Sequence, residues 1–385
     1  MKKICVVTGT RAEYGLLKPL IFKLKNVENI SLQLIVTGSH LKQDFGFTKS
    51  EIEKDGLSIF KEIPILNYED TIHGTIQSMS DEMIEISKYF ILQKPDLVII
   101  LGDRYEIFAV AISAFFHHIP IAHIHGGEVT SGAIDDTLRH SITKMSSLHF
   151  TSTETYKKRV IQLGETPKFV YNVGALGVEN VKNVKKLTKK ELEERLNIEL
   201  RDKIFLVTFH PVTMETNTEE NQFQQLINAL DYFNDYQIIF TKANADTGGS
   251  KINRMIDEFV HSSNNKHSAF ASLGQLNYLS LIAFASVVIG NSSSGIIEVP
   301  SYNIPTINIG DRQKGRMSAK SVLHCETNTE DIIEKIKMAQ KEDFLAELKH
   351  QTNPYDKENT SEIICTILME YLSTNHNNLK EFYDL

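Results

Sequence analysis

Between residues 122 and 140 the chain reads AHIHGGEVTSGAIDDTLRH, directly after the nearly all-apolar FAVAISAFFHHIPI. His123, His125, Glu128, Asp135, Asp136, Arg139 and His140 crowd into this stretch. Carboxylates and imidazoles gathered in one place suit general acid–base chemistry, the transfer of a proton at carbon or oxygen. A helix starting near Asp135 sets Asp135, Arg139 and His140 about one turn apart. The competing reading is a structural polar cluster.

Other ionisable and small polar groups follow apolar runs in the same way. GTRAEYG (9–15) puts Arg11 at the start of a helix, where its charge meets an anion or pairs with Glu13 on the surface. LGDRYE (101–106) puts Asp103 and Arg104 after VIIL, with an N-cap aspartate as the bland alternative. TFHPVT leaves His210 at a strand end, and TKANADTGG offers Lys242, Asn244 and Asp246. GNSSSGIIEVP (290–300) reads as a strand-to-helix turn. Its small residues allow close approach of a phosphate, its serines (Ser292, Ser293) and helix N–H groups can hold one, and Glu298 about a turn later can accept from ribose hydroxyls. An ordinary serine N-cap is the alternative. DRQKGR (311–316) places Arg312 and Arg316 after a further strand, or else forms a solvated basic loop. The serine turn lacks the lysine of a Walker loop and no G-x-G-x-x-G follows the first strand, which weakens kinase and nicotinamide-dehydrogenase readings.

The elements that must carry these residues alternate. Strand-like runs occur at 3–8, 32–37, 96–102, 120–125, 148–152 and 169–174, with a helix after the first and a polar loop after the second. A long amphipathic stretch spans Thr71 to Gln93 before Pro95. After a charged segment, 178–202, read as a linker plus one exposed helix, the series restarts at 203–210, 236–241, 268–272, 285–290 and 305–310. Buried apolar strands alternating with helices predict an α/β chain of two doubly wound Rossmann-like domains. The expected domains are 1–177, completed by a C-terminal helix within 361–385, and 178–360. Ligands of such sheets sit beyond the carboxyl ends of the strands, so a cleft faced by both domains is the expected site.

Composition bounds the rest. With 385 residues, 41% hydrophobic and 23% charged, the chain can bury two cores. A net charge of −8 without a basic run gives no support for nucleic-acid binding. No apolar run reaches the roughly 18 residues of a membrane helix, and MKKICVVTGT reads as a first strand rather than a signal peptide. Cys5, Cys325 and Cys365 form no metal-type pair and read as reduced core thiols of a cytoplasmic protein.

In their order along nearly the whole chain, TGTRAEYG, VTGSHL, LGDRYEIF, HIHGGE, IDDTLRHSITKMS, LHFTSTETYKKRVIQLGE, FHPVT, NADTG, GNSSSGIIEVPS and INIGDRQKGR resemble the hydrolysing UDP-N-acetylglucosamine 2-epimerases of bacterial sialic acid synthesis. The resemblance implies the two-domain GT-B architecture. It implies conversion of UDP-N-acetylglucosamine and water to N-acetylmannosamine and UDP, by elimination of UDP to a glycal and rehydration, with no metal or nicotinamide cofactor. It implies that Asp103 and Asp135 are catalytic carboxylates. Arg11, Arg104, Arg139, His210, Ser292, Ser293, Glu298 and Arg312 are then substrate contacts, with Asn244 near the uracil or ribose. Some relatives have glutamate where this chain has His125, and here the segment to the helix carboxylate is one residue longer. The third acid–base role therefore falls to His125, which holds the strand-end position, or to Glu128. The expected partner is a UDP-sugar, with no nucleic acid and no membrane, and the chain is expected to form a homo-oligomer, dimer or tetramer. Four alternatives stay open: hydrolysis of UDP-N,N'-diacetylbacillosamine for legionaminic acid, a non-hydrolysing 2-epimerase, a GT-B glycosyltransferase, and a non-catalytic sugar-nucleotide-binding protein.

Overall fold

A computed structural model describes residues 1–43, 46–66, 68–69, 71–130, 133–211, 219–243, 248–263, 266–374 and 380–385. Its contacts divide into two compact units. Unit 1 holds Met1–Glu128, Asp135–Asn180 and Lys357–Leu385, and unit 2 holds Val129–Ile134 and Val181–Asp356.

In unit 1 the strands are β1 (Lys2–Thr8), β2 (Ile30–Thr37), β3 (Ile59–Ile63), β4 (Leu97–Leu101), β5 (Ile121–Ile124), β6 (Leu148–Thr151) and β7 (Val170–Asn172). They form one parallel sheet in the order β3-β2-β1-β4-β5-β6-β7. Both faces of this sheet are covered, which is why the strands read as unbroken apolar runs. Along β1, Ile4 and Val6 enter one core while Cys5 and Val7 enter the other; along β4, Leu97, Ile99 and Leu101 alternate with Val98 and Ile100. The helix Thr360–Ser373 places Ile364, Cys365 and Leu368 in the core shared with Ile4, Leu17 and Leu20.

Unit 2 repeats the pattern with β8 (Ile204–Thr208), β9 (Gln237–Thr241), β10 (Ser268–Phe270), β11 (Val287–Gly290), β12 (Thr306–Ile309) and β13 (Val322–Cys325). These pair in parallel in the order β10-β9-β8-β11-β12-β13. Both orders reverse direction beside the first strand of the unit, between β1 and β4 and between β8 and β11. In an open parallel sheet that crevice is where ligands bind.

The structure differs from the sequence reading at the sheet edges and at the linker. The polar stretch after β2 contains the edge strand β3, where Ile63 is buried but Phe60 and Glu62 are exposed. β13 at the other edge mixes buried Val322 and Cys325 with exposed His324. An edge strand has a partner on one side only, so it tolerates polar residues that hide its pattern. The 178–202 segment holds two helices, Leu176–Asn183 and Lys189–Leu196. The first is no solvated linker: buried Asn180 donates to the Gly15 carbonyl at 2.9 Å, and buried Glu179 accepts from the Ser361 hydroxyl at 2.7 Å and from its N–H at 2.8 Å. The helix Ile72–Gln93 starts on the Thr71 cap and stops at left-handed Lys94, ahead of Pro95. No helix among the described residues is long and apolar enough to cross a membrane.

Because Leu368 is fully buried in the core around β1, Leu368→Ala should cost about 2–5 kcal/mol. Chemical denaturation should show the loss as a lowered midpoint; an unchanged midpoint would place the C-terminal helix outside that core.

Candidate active site

The opening stretch leaves unit 1 at the end of β5. β5 pairs with β4 from Val98↔Ile121 to Leu101↔Ile124, so the turns that follow, at Asp103 and at His125, are neighbours. The helix Ile134–Met145 then returns alongside and grips the β4 turn twice. Arg139, almost fully buried, makes an ion pair from Nη2 to Asp103 Oδ2. One turn further, the Thr143 hydroxyl lies 3.2 Å from His123 Nδ1, and His123 Nε2 is 2.7 Å from the Gly102 carbonyl. A carbonyl only accepts, so Nε2 carries the imidazole proton and Nδ1 accepts from Thr143. Burial holds His123 neutral, its pKa down at about 3.

His125 takes a left-handed backbone (φ 67°), unusual for a residue with a side chain, and its N–H donates to the Phe150 carbonyl at 2.8 Å. Its Nδ1 lies 3.2 Å from Glu128 Oε1, which also accepts from the Ser152 hydroxyl at 2.8 Å. A carboxylate facing Nδ1 favours the proton there and leaves the lone pair on Nε2. That Nε2 is buried and has no hydrogen-bond partner among the described residues. The chain can turn between the two residues because Gly127 has φ 77°; a Cβ there would stand 2.5 Å from the Tyr156 carbonyl oxygen.

Asp135 stands half-buried in the first turn of its helix, one turn before Arg139. Asp136 lies 3.7 Å from His140 Nε2. At the far end of the same helix Lys380 donates to the carbonyls of Thr143, Lys144 and Ser146 and pairs with Glu165 at 2.6 Å. A cation there complements the helix C-terminus.

Three residues that the sequence reading did not place in the site lie under the β1–β4 crevice. Glu106 is buried and accepts from Arg104 Nε at 2.6 Å. Glu13, the surface partner of Arg11 in the alternative reading, is buried and accepts from the Gly9 N–H at 2.8 Å. Glu82 is fully buried. Burial, reinforced by the Glu106 charge and opposed by Arg104, raises the Glu13 pKa to about 8; burial and the same neighbour raise Glu82 well above the usual carboxylate range. Glu106 is thus the carboxylate that positions Arg104. Glu82 carried a signal: it sits on the buried stripe of its helix with Ser78 and Ile86. Arg11 is half-buried in the first turn of its helix.

In unit 2, Asn291 organises the crevice between β8 and β11. Its side chain exchanges two 2.7 Å hydrogen bonds with the backbone N–H and carbonyl of His210. The Asn291 carbonyl accepts from Arg312 Nη1 at 3.0 Å and from Gln313 Nε2 at 2.9 Å. Ahead of it, Gly290 lets the strands approach: a Cβ would stand 1.8 Å from the Thr208 carbonyl oxygen. Ser292 caps the following helix, accepting from the Ser294 N–H at 3.4 Å, as the bland reading foresaw. That helix is only Ser293–Ile297, and Glu298 ends it rather than lying within it. An anion here would therefore rest on hydroxyls and Arg312 more than on a helix dipole. Arg316 is no solvated side chain; it donates to the Val129 carbonyl at 2.9 Å and to the Thr130 hydroxyl at 3.2 Å. Lys242 pairs with Asp257. Asn244 and Asp246 lie outside the described residues. Among the described residues no three His, Cys, Asp or Glu side chains are grouped to hold a metal ion.

Two doubly wound units with polar strand ends are the fold of the GT-B class. The S. aureus MnaA–UDP co-structure matches it with a TM-score of 0.80 over 99% of this chain and 100% of that one, at 19% identity. The chain belongs to the UDP-N-acetylglucosamine 2-epimerase family, whose model matches residues 22–369. It is 46% identical over 330 residues to the GDP/UDP-N,N'-diacetylbacillosamine 2-epimerase (hydrolyzing) of Campylobacter jejuni, covering 86% of each chain. It is 43% identical over 387 residues to polysialic acid biosynthesis protein P7 of Escherichia coli, covering 100% of this chain and 98% of that one.

The Glu13 carboxyl gives a pH-dependent stability of definite sign. Its native pKa, about 8, lies above the ordinary 4.5, so its stabilisation is complete below pH 4.5 and lost as pH rises through 8. Denaturation curves at pH 5, 6.5 and 8 should show wild type weakening with rising pH and Glu13→Gln weakening less. Parallel pH trends would show that Glu13 is already ionised in the native chain.

Proposed function

We propose that the chain hydrolyses UDP-N-acetylglucosamine with inversion at C2, releasing N-acetylmannosamine and UDP for sialic acid synthesis. The observation that carries this reading is the 43% identity running through 100% of the chain to a polysialic acid biosynthesis protein. A second reading, hydrolysis of UDP-N,N'-diacetylbacillosamine, is favoured by the 46% identity to the Campylobacter jejuni enzyme. Both sugars carry UDP at C1 and undergo the same bond changes; they differ at C4 and C6. The three buried thiols suit a cytoplasmic enzyme.

The chemistry assigns work to each group. A base takes the C2 proton as the C1–O bond breaks, and UDP departs with both electrons of that bond. The resulting glycal is hydrated when water adds its oxygen to C1 and a proton reaches C2 from the opposite face. Two faces require two proton-handling groups. His125, with its lone pair at Nε2 and Glu128 behind Nδ1, serves one face, and Asp135 the other. Asp103, ion-paired with Arg139, stabilises the positive charge that develops at C1 as UDP leaves. In unit 1 Arg104, steadied by Glu106, and Arg11 offer cations to developing negative charge; in unit 2 Ser292, Ser293, His210 and Arg312 offer donors to a diphosphate. Glu298 accepts from ribose hydroxyls. In a protein that only bound the sugar nucleotide, a half-buried, ion-paired carboxylate next to an imidazole nitrogen without a hydrogen-bond partner among the described residues would have no use.

Proton NMR time courses with each UDP-sugar test the reading. Release of UDP and a free 2-epimerised sugar from UDP-N-acetylglucosamine is expected. Turnover of the diacetylbacillosamine substrate alone would favour the second reading, whereas an epimerised UDP-sugar or no change with either would defeat both.

Asp103→Asn, Asp135→Asn and His125→Ala should each lower kcat by about 100-fold or more, the usual scale for a positioned acid or base, with UDP affinity by calorimetry nearly unchanged. Glu128→Gln should cost less than His125→Ala. An inactive Glu128→Gln beside a nearly normal His125→Ala would transfer the role to Glu128.

A further inference from the structure

The last carbonyls of a helix have no partner within it and take one from outside. For the helix Ile134–Met145, which carries Asp135, that partner is Lys380. Its ammonium donates to the carbonyls of Lys144 at 2.6 Å, Ser146 at 2.8 Å and Thr143 at 3.3 Å, and meets Glu165 Oε2 at 2.6 Å. Glu165 is almost fully buried and also accepts from Lys144 Nζ at 2.7 Å and from His149 Nε2 at 2.9 Å. Against the cost of burial, these bonds hold its carboxyl down at about 2. The segment that brings Lys380 there is seated as well. The Tyr383 N–H donates to the Gly164 carbonyl at 2.9 Å. The Phe382 ring lies over Gly164, where a Cβ would stand 2.3 Å from a ring carbon, and Lys144 Nζ is 5.0 Å from the ring centre. A surface lysine ordinarily leaves its ammonium in water, since fixing a long side chain costs entropy. Three carbonyls and a carboxylate converging on one ammonium mark a built contact.

We propose that Lys380 is a positioning residue for the reaction proposed above, on which this assignment rests, and that it acts on the turn after β4 through Thr143. Thr143 is held on both sides. Its carbonyl accepts from Lys380, and its hydroxyl donates to His123 Nδ1 at 3.2 Å. His123 in turn donates to the carbonyl of Gly102 at 2.7 Å, one residue before Asp103. Each step of this path is a hydrogen bond or a peptide link. Without the ammonium the last turn of the helix frays and Thr143 leaves His123. The turn after β4 then keeps its Arg139 grip and loses the second. Asp135 sits on the first turn of the same helix, so a shift at one end tilts the other. Misplacing a catalytic group by about 1 Å costs up to about 100-fold in rate. His210, Ser292 and Arg312 belong to unit 2 and are not on this path, so the loss falls on kcat and not on UDP affinity.

Kinetics of full-length variants, taken well below their melting temperatures, test the assignment on whichever UDP-sugar the wild type turns over. Lys380→Met keeps the stem and removes the donors. It should lower kcat about 10-fold, with KM and UDP affinity by calorimetry within about 2-fold of wild type, and Lys380→Arg should recover most of the loss. Thr143→Val removes the hydroxyl that His123 uses. In that background Lys380→Met should cost no more than about 2-fold further, because both changes break one path. Two losses that multiply would overturn the assignment, as would a lowered melting temperature with normal kcat, the mark of a contact that only stabilises. Hydrogen exchange requires no substrate: amides of residues 134–146 should exchange about 10-fold faster in Lys380→Met than in wild type. Equal protection would overturn the assignment. If the wild type turns over neither sugar, the proposed reaction fails, and exchange alone decides whether Lys380 holds the helix.

Discussion

The ion pair between Asp103 and Arg139 is the interaction on which the candidate site of unit 1 turns. Arg139 is almost fully buried, and a buried charge that loses its partner costs about 3–5 kcal/mol. The pair therefore constrains two elements at once. The turn after β4 cannot drift from the helix Ile134–Met145, and that helix cannot rotate without stranding Arg139. Thr143, one turn on, adds the second tether through His123 to the Gly102 carbonyl. Two grips a helical turn apart fix both the rotation and the height of the helix that carries Asp135. A carboxylate spent only on a helix cap would need neither.

The two units solve the same problem with different chemistry. At the unit 1 crevice the internal bonding is ionic, with Arg104 steadied by Glu106 and two further carboxyls buried nearby. At the unit 2 crevice it is neutral. The Asn291 amide ties the chain after β11 to the backbone after β8, and its carbonyl orients Arg312. Arg312 is oriented by a neutral carbonyl, whereas Arg104 is paired with the Glu106 carboxylate. On this reading unit 2 suits the diphosphate and unit 1 suits chemistry in which charge moves.

Much of this was legible in the sequence, for physical reasons that particular residues make plain. The inner strands β1, β4, β5, β8 and β11 are buried on both faces, so their apolar runs announced them. In a parallel sheet the strands end together, so polar residues after each run marked one edge of each unit. Strands β3 and β13 escaped because an edge strand keeps its polar residues in water. Glu13 went unnoticed because its local neighbour is Arg11; only the fold brings Gly9, Glu106 and Arg104 around it. Glu106 is adjacent to a recognised motif, but its role depends on how Arg104 folds back. The tautomer of His123 and the left-handed turn at His125 depend on partners far along the chain, Thr143 and Phe150, which no spacing reveals.

The account rests most heavily on removal of the C2 proton by a group that exchanges with water. Turnover of the UDP-sugar in deuterium oxide, with the released sugar analysed by NMR and mass spectrometry, tests this directly. The account predicts one deuterium at C2 of the 2-epimerised product. A product that keeps its original hydrogen at C2 would contradict it.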